Sequence, residues 1–246
     1  MPTDASAPVG LFENTHWTLV MQAKEECLVS LNKLCSTYHS PLIVWLRCRG
    51  ENPKDAEDHV QGFFEHLLKR DFLQGISREK GRFRSFLLAS IQHYLCDQQR
   101  RAVAAKRGGG QVLQSLDATN DEGEPLHLPR SAHSSPDQEY DRAWAGAILA
   151  SALKRVEAEC ASNGRASLWA ALEPILFADE SALAYAQISQ QFGMKEAALR
   201  VVVYRLRLRL RELIRDEVRQ TVTNEDELNA ELGYLVSLFA KSSSMT

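Results

Sequence analysis

The 246-residue chain carries 29 Lys and Arg against 32 Asp and Glu, a net charge of -3, with 44% apolar content. That supports one large or two small cores, while its longest apolar run, LIVWL at 42–46, falls far short of the ~18 residues a membrane helix needs. The five cysteines (Cys27, Cys35, Cys48, Cys96, Cys160) are odd in number and contain no C-x-x-C, which argues against a disulfide framework or a zinc site.

Residues 1–14 read as a disordered segment with no basic and apolar leader pattern, so a cytoplasmic location is expected. From His16 to about Lys33, Trp17, Val20, Met21, Leu28 and Leu31 form a helical stripe. Pro41 is placed to open the next helix, which carries Leu42, Trp45 and Leu46 to a stop at Gly50.

Pro53 precedes DAEDHVQGFFEHLLKR, in which Ala56, Val60, Phe63, Phe64 and Leu67 recur at helical spacing. Asp55, Asp58, Gln61 and Glu65 fall on the opposite side, and the early acids suit the helix dipole. By itself this acidic face reads as a solvated surface. His59 and His66, seven apart, are too few for a metal site, and no metal is expected.

The next helix, GRFRSFLLASIQHYLCDQQRR, buries Phe83, Phe86, Leu87, Ser90, Ile91, Tyr94 and Leu95 by its spacing, with Ser85, Gln92, Gln99 and Arg100 outward. Residues 78–107 hold eight basic groups against two acids, a local +6. Such a row of amides and arginines beside a basic loop suits a nucleic-acid strand. Phe83, Phe86 and Tyr94 lie on the packing stripe and are read as core rather than as base-stacking surfaces.

Residues 108–140 contain GGG and three prolines, and 117–141 hold seven acids against Arg130, a local -6. This is the pattern of a flexible acidic linker between two helical modules, 15–107 and 141–220. A polyanion of this kind could equally thread a basic channel in a partner.

The stretch YAQISQQFGMKEAALRVVVYRLRLRLRELIR, 185–215, reads as a short helix, a glycine turn at Gly193 and a second helix. On the second helix Leu199, Val202, Val203, Leu206, Leu210 and Leu213 form one stripe. Seven basic groups between 195 and 215 against Glu196 and Glu212 leave a local +5. A helix-turn-helix places Lys195, Glu196, Arg200 and Tyr204 near base edges and the later arginines near phosphates. The plain alternative is a helical hairpin with a solvated basic face. After Gln220, Leu228, Leu232, Leu235, Val236 and Phe239 form an apolar stripe in a tail expected to pack on the C-terminal module.

Taken in order, DAEDHVQGFFEHLL, GRFRSFLLASIQHYLCDQQRR, the acidic linker and YAQISQQFGMKEAALRVVVYRLRLRLREL resemble a bacterial RNA polymerase sigma factor of the extracytoplasmic function type, within the sigma-70 superfamily. The resemblance covers about residues 15 to 220, and HWTLVMQA and KGRFRSFLLAS are similar to one subgroup. It implies an all-α protein of two small helical domains, region 2-like at 15–107 and region 4-like at 141–220, with a C-terminal extension at 221–246. It also implies a non-catalytic subunit without cofactor that brings core polymerase to promoters and helps open the duplex.

In that resemblance Asp55, Asp58, Gln61 and Glu65 dock on the clamp helices of the largest catalytic subunit, with the flap of the second subunit as a further contact. Arg78, Lys80, Arg82, Arg84, Gln92, Gln99 and Arg100 hold the melted start-proximal strand. Lys195, Glu196, Arg200, Tyr204, Arg205, Arg207 and Arg211 bind the upstream element. The resemblance also allows an anti-sigma factor or another regulator as a partner. Two positions depart from the pattern: Ser189 replaces a small alanine before the turn, and Lys195 replaces a serine cap. A stand-alone helix-turn-helix regulator and a signalling adaptor that binds no DNA are the alternatives; no Walker, H-E-x-x-H or G-x-S-x-G motif points to an enzyme.

Overall fold

The computed structural model describes residues 28–67, 82–106, 135–177 and 182–243, and no strand occurs among the described residues. The chain is all-α. Its helices are α1 (Leu28–Cys48), α2 (Pro53–Leu67), α3 (Phe83–Lys106), α4 (Pro136–Ser162), α5 (Ala166–Leu172) with a 3-10 turn at Glu173–Ile175, α6 (Ala182–Phe192), α7 (Glu196–Arg219) and α8 (Glu225–Ser243). None is long and apolar enough to cross a membrane. They form two compact units, the first from residues up to 147 together with those from 219 onward, the second from 148–218.

Pro41 does not open a helix; it lies inside α1. A mid-helix proline forfeits one backbone hydrogen bond and crowds the preceding turn. Here Tyr38 before it and Leu42, Trp45 and Leu46 after it are all fully buried, and their packing outweighs that penalty. The stop at Gly50 is as expected: φ is +96°, and the Glu51 amide donates to the Leu46 carbonyl at 3.2 Å.

In α2, Asn52 caps the helix by accepting from the Asp55 amide at 2.9 Å, and Pro53 fills a first-turn position that needs no donor. Ala56, Val60, Phe63, Phe64 and Leu67 are buried, the five the periodicity assigns to the core. Across from them Phe83, Phe86, Leu87, Ser90, Ile91 and Leu95 of α3 are buried. Tyr94 lies over Gly62, where a Cβ atom would meet its hydroxyl at 2.6 Å.

The first unit includes two segments that the sequence reading places elsewhere. The stretch from Pro136 is helical rather than linker, started by a reciprocal cap in which the Gln138 amide donates to Ser135 Oγ and the Ser135 amide to Gln138 Oε1, both at 3.2 Å. Trp45 Nε1 donates to Asp137 at 2.9 Å, which ties α4 to α1. The rest of the linker, 108–134, the N-terminal segment 1–14, and Trp17, Val20 and Met21 of the expected first helix lie outside the described residues.

The C-terminal tail is the second correction. It belongs to the first unit, not to the helix-turn-helix module. Asn224 and Glu227 cap α8, and the helix buries Leu228, Glu231, Leu235 and Leu238, while Val236 and Phe239 of the expected stripe are exposed. The Phe83 amide donates to the Thr221 carbonyl at 3.3 Å, so the tail also satisfies the first donor of α3.

The second unit packs Val156 of α4, Trp169 and Leu172 of α5, Tyr185 and Ile188 of α6, and Leu199, Val203, Leu210 and Leu213 of α7 into one core.

Candidate nucleic-acid interface

In the second unit α6, the turn and α7 are held as a helix-turn-helix. Gly193 has φ +63°, the conformation that glycine adopts without strain. The Met194 amide donates to the Ser189 carbonyl at 3.1 Å, and Ser189 Oγ donates to the Met194 carbonyl at 2.5 Å. Ser189 therefore ties the turn closed. Lys195 occupies the cap position, its carbonyl accepting from the Ala198 and Leu199 amides. Its side chain is exposed.

The arginines of α7 divide by their partners. Arg209 makes a two-pronged pair with Glu159 at 2.9 and 2.7 Å and reaches Glu212 at 2.9 Å, so its charge is largely neutralised. The hydrogen bond from Arg209 holds the Glu159 carboxyl below its usual range. Arg207 donates to the carbonyls of Leu176 and Ile175 at 2.9 and 3.4 Å. Arg200 lies 4.5 Å over the Tyr185 ring. Lys195, Arg205 and Arg211 are exposed and form no ion pair among the described residues. Glu196 and Tyr204 are exposed beside them.

The outer face of α7 also carries apolar groups, of which Tyr204 alone is among the residues that the sequence assigns to base edges. Val201, Tyr204 and Leu208 are 48%, 62% and 39% exposed, spaced three and four apart. The signal was available as three apolar residues lying off the buried stripe.

In the first unit the acidic set is brought together on one exposed face of α2. Asp55, Asp58, Gln61 and Glu65 are all exposed; Gln61 Nε2 donates to Glu65 at 3.3 Å, and Asp55 accepts from Asn52 Nδ2 at 2.6 Å. His59 Nδ1 lies 2.8 Å from Glu51, and among the described residues no group of side chains could hold a metal ion.

The proposed strand-binding set is split. Gln99 and Arg100 are exposed on α3, Gln92 is half-buried, and Arg78 and Lys80 lie outside the described residues. Arg84 is a correction. It is 5% exposed, lies between the Trp144 and Tyr234 rings at 5.1 and 4.7 Å, and pairs with Glu231 at 2.5 Å and with Asp141. Burial alone would lower its pKa, but the hydrogen bond and charge of Glu231, then Asp141, outweigh it and hold it raised. Arg82, partly exposed, pairs with the same Glu231 at 3.0 Å. The sequence could not assign these arginines because their partners lie far along the chain.

No protein-family model matches the chain, and neither a curated protein nor a solved structure does.

Proposed function

We propose that this chain is a sigma-type specificity subunit, which binds bacterial core RNA polymerase, reads an upstream promoter element and helps open the duplex. The observation that carries the reading is the helix-turn-helix whose second helix leaves Lys195, Arg205 and Arg211 exposed and without an ion pair among the described residues, while Arg207 and Arg209 are engaged within the unit. Free cations at the start and middle of such a helix are positioned for phosphates and base edges.

A second feature favours polymerase over a DNA-only regulator. The carboxylate and amide face of α2 is repelled by nucleic acid, so it suits a basic protein surface. In this reading, which the resemblance over residues 15 to 220 also supports, Asp55, Asp58, Gln61 and Glu65 form the polymerase contact. Gln92, Gln99 and Arg100 then hold the start-proximal strand, and Arg82 joins them from its pair with Glu231. The reading needs no cofactor and no catalytic residue in this chain.

Size-exclusion chromatography with core polymerase tests it. Co-elution in one-to-one ratio, lost on Asp58→Lys with Glu65→Lys, is the expected result; a separate peak for the wild-type chain contradicts the reading.

A further inference from the structure

The exposed apolar row on α7 has a chemical use. Val201, Tyr204 and Leu208 lie opposite the buried stripe of Leu199, Val203 and Leu210, and Ala197 continues the row toward the helix start. From 197 to 208 the row rises ~16 Å at 1.5 Å per residue, about five base steps of a duplex. Arg205 flanks it on one side and Arg211 lies near its far end, neither neutralised by an ion pair among the described residues.

A row of this kind calls for a partner that is polyanionic overall yet presents apolar points at helix-width intervals. A protein-docking patch would need a partner with its own apolar ridge and acids placed around it. The major groove already offers both features: phosphates line its edges, and the thymine C5 methyl is an apolar group on its floor. Valine in a helix holds one preferred rotamer, so Val201 presents its methyls at small entropic cost.

We infer that the outer face of α7 selects thymine, with Val201 and Tyr204 packing against thymine C5 methyl groups in the major groove. This rests on the DNA-binding reading above and names the base feature that its surface recognises. Arginines supply attraction and register; the apolar row supplies discrimination.

The test uses the full chain with core polymerase. An upstream element is selected from a random duplex library, and each of its thymines is then replaced singly by deoxyuridine, which removes only the methyl. At one or two positions binding weakens about fourfold, the factor to which about 0.8 kcal/mol for one buried methyl-sized group converts. Val201→Ala or Tyr204→Ala weakens binding to the thymine duplex and shrinks the thymine-to-uracil difference at its own position.

If deoxyuridine is neutral at every position, or if both variants keep the full difference, the inference is overturned while DNA binding stands. If both variants bind DNA as the wild type does, the row belongs to a protein partner instead. Failure to select any upstream sequence overturns the inference and the DNA-binding reading together.

Discussion

Arg84 of α3 and Glu231 of α8, 147 residues apart in sequence, form a 2.5 Å ion pair in which Arg84 is 5% and Glu231 0% exposed. A buried pair adds little net stability when both charges are present, but removing one partner strands the other in a low-dielectric interior. Glu231→Ala leaves Arg84 buried with Asp141 as its remaining carboxylate partner and is expected to destabilise the first unit by about 1 to 3 kcal/mol, read by urea unfolding followed through Trp45 and Trp144, and Arg84→Met in the same background recovers part of the loss. Equal stability of the wild type and Glu231→Ala would show that the tail does not anchor this unit.

Truncation after Gln220 follows from the same pair. It removes Glu231 and Tyr234, whose hydroxyl donates to Asp141 at 2.5 Å, and it strips α8 from the buried start of α3. The shortened chain should lose melting temperature together with activity. A tail that only regulates would change promoter output and leave thermal stability intact.

Gly62 and Tyr94 give a cleaner packing test. A Cβ at Gly62 meets the Tyr94 hydroxyl at 2.6 Å but the ring carbon bearing it at 3.7 Å. Gly62→Ala should cost about 1 to 3 kcal/mol through overpacking. In a Tyr94→Phe background the clash is gone, and alanine's helix preference, about 1 kcal/mol over glycine, makes the same change neutral or stabilising. A double-mutant cycle that shows additivity would contradict the contact.

Glu159 in the second unit supplies a pH dependence. Its carboxyl is held below the usual value of about 4.5 by the Arg209 hydrogen bond. A depressed folded value contributes stability that is present above the unfolded pKa and is lost as pH falls through the folded one. The second unit should therefore weaken below about pH 5, and Glu159→Gln should flatten that slope. Both side chains are more than a third exposed, so solvent screening limits the effect to about 1 kcal/mol or less, diminishing with salt.

The unpaired cations make a prediction on salt. Arg205→Ala and Arg211→Ala should each lower the steepness of log affinity against log salt by about 1 for a promoter duplex bound by the complex with core polymerase. An unchanged slope for both would remove them from the phosphate contacts.

The sequence carried the local parts of this account. Stripe and face of α2 are readable because one helix buries one side, and period alone separates Val60 from Asp58. The glycine turn is readable because Gly193 must adopt positive φ. Non-local parts were not readable. Pro41 reads as a helix start because nothing local shows that Tyr38 and Trp45 are buried on either side of it. Arg84 looked like a strand contact because nothing in its neighbourhood names Glu231, and the tail's helix resembled a satellite of α7 because it follows α7 in the chain. Arg209 and Arg211 are two residues apart on one helix, yet only Arg209 lies against Glu159 of α4. Charge counted along a sequence does not distinguish a cation engaged inside a unit from one left for a partner.

Run-off transcription decides whether this chain confers promoter-specific initiation on core polymerase. Core polymerase is combined with the wild-type chain on templates drawn from genomic fragments, with transcripts mapped to their start sites. Initiation is expected at a small set of promoters sharing an upstream element, lost on Asp58→Lys with Glu65→Lys and weakened by Arg205→Ala. Transcript patterns identical with and without the chain would contradict it.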